Sequence, residues 1–149
     1  MTIDTSRKLV ESGNYSVWSD FEDVEIRNAD GRLWKAGNMY GNPEAALITW
    51  DERYAVVIGC GIMICDLQRF GETVCAGQTW EESPTVHLLA EPSDFWNFVL
   101  VEQVYQNDVH SEIRLVTALM DQYIGIYTLN TETLVFQAVP HGQPDFPNL

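Results

Sequence analysis

Residues 54–64 (YAVVIGCGIMI) form the longest apolar run in the chain, and glycines at 59 and 61 interrupt it. The run is far short of the roughly 20 residues a membrane-spanning helix needs. Residues 54–58 show no polar alternation, as expected of a strand buried on both faces. Glycine inside a strand marks a bulge, a bend or a close backbone approach. The chain is therefore expected to break or bend at Gly59-Cys60-Gly61 and to resume as a strand over 62–65.

The rest of the sequence keeps the same character. No long segment places apolar residues at helical spacing, whereas alternating and β-branched stretches bounded by turn residues recur. Val24-Glu25-Ile26-Arg27 alternates, Asn28-Ala29-Asp30-Gly31 carries turn chemistry, and Arg32-Leu33-Trp34-Lys35 alternates back, which predicts a hairpin. Residues 38–44 hold Gly41, Asn42 and Pro43 and read as a loop, 46–50 as a short strand, and Asp51-Glu52-Arg53 as a polar turn. Further strands are expected over 85–90, 95–105 and 112–119. At 95–105 Ser93 offers a helix cap, but the β-branched and aromatic content favours a strand. A final hairpin is expected from 123–129 and 133–139 around Asn130-Thr131-Glu132. Nine or ten short strands joined by short turns predict an all-β fold with little helix. It is a single antiparallel domain of sandwich, barrel or small propeller-like form spanning 1–139. Residues 140–149 contain three prolines and Gly142. They are expected to form a tail on the surface or without order.

Trp18, Trp34 and Trp50 are spaced sixteen residues apart, as are Trp80 and Trp96. Residues 51–73 (DERYAVVIGCGIMICDLQRFGET) run as turn, apolar strand, glycines, second strand ending in Cys65-Asp66-Leu67, and turn. That order resembles one blade of a WD-repeat propeller, over about a sixth of the chain. The pair closing such a blade is Trp-Asp, and here it is Cys65-Asp66. A blade takes about 40–45 residues and a propeller typically at least four blades, so a full propeller is not expected.

Charge narrows the function. The chain of 149 residues carries 22 acids against 8 bases, a formal charge of −14. Residues 70–149 hold eleven acids and a single base, Arg114. Self-repulsion opposes compaction, so this excess reflects solubility or partners, not the needs of the fold. At 46% hydrophobic residues the chain has ample material for a core and is not an acidic disordered tail. Nucleic acid and anionic membrane are disfavoured, because both require a basic footprint. A basic protein is the electrostatically natural partner. Plain solubility, as in many acidic bacterial proteins, is the competing explanation.

Arg7 and Lys8 are followed by no apolar run, so no signal peptide is read in residues 1–10. Cys60, Cys65 and Cys75 are odd in number and form no CxxC pair, which fits buried thiols in a reducing cytoplasm. Asn14-Tyr15-Ser16 matches a glycosylation sequon that a cytoplasmic protein would not use.

No pattern for catalysis or cofactor binding stands out. His87, His110 and His141 are far apart. In His110-Ser111-Glu112 strand geometry would throw adjacent side chains to opposite faces, so a polar turn is the simpler reading. The three cysteines with a histidine have the ligand types of a structural zinc site, but their spacing of five and ten positions matches no knuckle. Gly59-Cys60-Gly61 lacks the third glycine and following helix of a dinucleotide fingerprint. No cofactor or metal is expected.

The densest acidic group is Asp20, Glu22, Asp23 and Glu25. It lacks the spaced ligands and glycine of a calcium loop. It suits either a solvated strand edge or a contact surface for Lys and Arg of a partner. Glu81 and Glu82, after Trp80, form a second candidate rim. The leading expectation is an acidic, cytoplasmic binding protein that neutralises or regulates a basic protein. Its sharpest form is a toxin-immunity protein that occludes a nuclease-type toxin. The alternative is a carbohydrate- or small-ligand-binding β module that uses exposed tryptophans. A small carboxylate- or metal-dependent enzyme ranks third.

Overall fold

Both faces of the apolar run are covered. Every residue of its strand from Tyr54 to Asp66 is buried except the half-buried Cys60. The structure is a computed structural model that describes residues 6–74, 82–88, 101–106, 112–117, 126–131, 133 and 135–138. Among these residues eleven strands form three antiparallel sheets with one short 3-10 turn, Leu67–Arg69.

The first sheet is a meander of β1 (Arg7–Glu11), β2 (Tyr15–Asp20), β3 (Asp23–Asn28) and β4 (Leu33–Asn38). The second contains β5 (Tyr40–Ile48), β6 (Tyr54–Asp66) and β7 (Thr85–Leu88). The third is another meander, β8 (Val101–Gln106), β9 (Glu112–Thr117), β10 (Ile126–Asn130) and β11 (Phe136–Ala138).

The thirteen residues of β6 would span about 40 Å if fully extended. Yet Leu67 N donates to Arg53 O at 2.8 Å, so the two ends of the strand meet. The strand therefore doubles back at Gly59-Cys60-Gly61, where Gly61 has φ +89°. Its first arm pairs with β5 (Ala55 opposite Ile48) and its second with β7 (Cys65 opposite Thr85). Asp66 closes the two ends. It is 5% exposed, its carboxylate accepts Gln68 N at 3.0 Å, and its Oδ1 lies 3.2 Å from Arg53 Nε.

Alternation along β6 sorts two cores. Ala55, Val57, Met63 and Cys65 pack with Val17, Val24, Ile26 and Trp34 of the first sheet. Val56, Ile58, Ile62 and Ile64 pack with Val101, Ile113, Leu115 and Leu129 of the third. The middle sheet thus lies between the other two, and β5 packs against both β1 and β8. Truncating a fully buried isoleucine here would cost about 2–5 kcal/mol. This is a three-layer all-β arrangement, not a two-sheet sandwich.

Other expectations meet the structure unevenly. The β3–β4 hairpin forms as read: Asn28 Oδ1 accepts Asp30 N at 3.1 Å and Arg32 N at 2.9 Å, and Gly31 has φ +84°. The loop expected at 38–44 is a correction. Residues 40–44 belong to β5, whose register slips between Tyr40 and Ala45 to form a bulge that accommodates Gly41 and Pro43. The following strand ends at Ile48, two residues before Trp50. Strands β1 and β2 were not expected. The segments 89–100, 118–125 and 139–149, including the proline-rich tail, lie outside the described residues. No helix among the described residues is long and apolar enough to cross a membrane.

Candidate functional site

Val24 and Ile26 point into the core at 0% exposure, so strand alternation sends Asp23, Glu25 and Arg27 to the outer face of the first sheet. Asp20 and Asp23 pair across the β2–β3 ladder, leaving Phe21-Glu22 as a two-residue turn. Three of the four sequence-predicted acids therefore share one hairpin tip. Like charges placed opposite each other oppose strand pairing.

Phe21 sits at the apex. Its φ is +54° and it is 64% exposed. The first central residue of a two-residue turn takes positive φ most readily as glycine. A bulky side chain in this region carries steric strain. The only other non-glycine residue with positive φ, among the described residues, is Glu52. There the carboxylate accepts from Ser12 Oγ, Asn14 N and Asn14 Nδ2, so bonds to the β1–β2 turn hold the residue in place.

The acids at the tip are not equivalent. Glu22 is anchored twice: its Oε2 accepts Gly41 N at 2.5 Å and its main-chain O accepts Met39 N at 2.9 Å. These bonds pin the tip to the start of β5. Asp23 is exposed and Asp20 half-buried. Glu25 points along the sheet face, 3.7 Å from Arg27 Nη2, and Arg27 stacks 4.0 Å from the Trp18 ring centroid. Glu25 thus belongs to a paired cluster on the sheet, one turn of alternation away from the tip.

Two residues missed by sequence reasoning extend the site. Glu44 lies in the β5 bulge, and with Glu22 it acts on the Cys60 thiol. Burial chiefly pushes that thiol up, and the two carboxylates push it further. The bend of β6, the bulge of β5 and the β2–β3 tip are therefore neighbours. Phe21 itself is the other missed residue.

The second predicted rim is elsewhere. Glu82 is exposed and immediately precedes Ser83 and Pro84, whose carbonyls accept from Arg69 Nη1 at 3.2 Å and Asp66 N at 2.8 Å. It lies at the closed ends of β6, opposite the bend, and the structure does not bring it to the tip. Glu81 lies outside the described residues. At that far end the β5–β6 turn displays Trp50, 66% exposed. The turn is held by Thr49 Oγ1 donating to Asp51 Oδ1 at 2.8 Å and Arg53 N donating to the same oxygen at 3.0 Å.

The candidate chemical groups are dispersed. Cys65 is fully buried in the first core, and burial pushes its thiol up to about 12. Cys60 is half-buried at the bend. His87 is exposed on β7, although the protein around its ring lowers its pKa by desolvation. Cys75, His110, Ser111 and His141 lie outside the described residues. Among the described residues no three His, Cys, Asp or Glu side chains gather as a metal site. Comparison of the chain with protein-family models, with curated proteins and with solved structures found no match.

Proposed function

We propose that the chain is an acidic binding protein whose β2–β3 tip docks on a basic protein. The supporting observation is the tip itself: an exposed Phe21 at positive φ, with Asp20, Glu22 and Asp23 beside it on a hairpin pinned by Glu22. An aromatic anchor within a charged rim has the anatomy of a binding hot spot. A pinned tip loses little conformational freedom on docking. The protein's charge of −14 would speed encounter with a cationic partner. In its sharpest form the partner is a nuclease-type toxin, and the chain is the cytoplasmic immunity protein that covers the toxin's substrate-binding Lys and Arg. The test is kinetic. Asp23→Lys should slow association with the basic partner and flatten its salt dependence. An unchanged rate would remove the tip from the interface.

A second reading rests on Trp50, whose exposed indole on a rigid turn offers a stacking face for a sugar ring or another flat ligand. It predicts a change of tryptophan fluorescence on titration with oligosaccharides that is insensitive to salt and absent in Trp50→Ala. A salt-dependent signal, or one retained in the variant, would reject it.

A further inference from the structure

We draw no further inference here: the strongest candidate, the outer face of the first sheet around Trp18 and Leu33, carries nothing because its Lys8 and Arg27 are already paired with Glu11 and Glu25 and nothing in the structure shows what covers it.

Discussion

Glu22 and Gly41 are joined across the gap between the first two sheets, carboxylate to backbone N–H, at 2.5 Å. The contact fixes the apex of the β2–β3 hairpin against the bulge of β5. It also sets Phe21 outward with its backbone in a conformation a phenylalanine rarely adopts. A hairpin free to choose its turn residue for stability alone would place glycine there.

Replacing that residue should therefore separate stability from binding. Phe21→Gly is expected to raise unfolding stability by about 1 kcal/mol, because the positive φ becomes unstrained. Urea denaturation with an unchanged m-value would show this. A loss of stability would mean that Phe21 supports the fold.

The closure of β6 depends on Asp66. Asp66→Ala removes the acceptor for Gln68 N and the partner of Arg53 together, at a cost of about 2 kcal/mol. Arg53→Ala should cost at least as much, about 2 kcal/mol or more, because it leaves the buried Asp66 carboxylate without its cation. Equal midpoints for wild type and Asp66→Ala in urea would refute this role.

Glycine substitutions give a matched pair. Gly61→Ala meets a φ of +89° at the bend of β6 and should destabilise by about 1 kcal/mol or more. At Gly13 an added Cβ meets nothing within 4 Å, so Gly13→Ala should be neutral or slightly stabilising. Thermal midpoints in the reverse order would contradict the doubled-back strand.

Hydrogen bonds from Ser12 and Asn14 hold the Glu52 carboxyl below its ordinary value of 4.5. A depressed folded-state pKa contributes stability that is complete above the unfolded value and is lost as pH falls through the folded one. Lowering the pH from 7 to below 4 should therefore destabilise wild type more than Glu52→Gln. Parallel urea midpoints for the two proteins across that range would show that the link between the β1–β2 and β5–β6 turns is absent.

The buried strand was legible because both of its faces are apolar, and the β3–β4 turn because Asn28 and Gly31 carry their own geometry. Strands β1 and β2 were hidden by a scrambled alternation. In β2 the buried inner face includes the polar Ser19, while the large apolar Trp18 faces outward, shielded by Arg27 and Lys8. Pro43 and Gly41 suggested a loop where β5 bulges, since a bulge and a loop share the same local residues. The acidic cluster could be found by composition, but not the division within it. That division depends on Glu22 reaching Gly41, nineteen positions away, and on Glu25 facing Arg27. Phe21 had one available signal, its place between acids after an alternating stretch. That signal needed β2 to be recognised first.

Capture from a lysate of the source organism would show whether the β2–β3 tip docks on a basic protein. Tagged wild type, Phe21→Ser and Asp23→Lys would be compared at low and high salt, with retained proteins identified by mass spectrometry. One basic protein should be held by wild type in near-stoichiometric amount, weakened by salt and by Asp23→Lys, and lost with Phe21→Ser. No specific protein on wild type, or equal retention by all three, would contradict that docking.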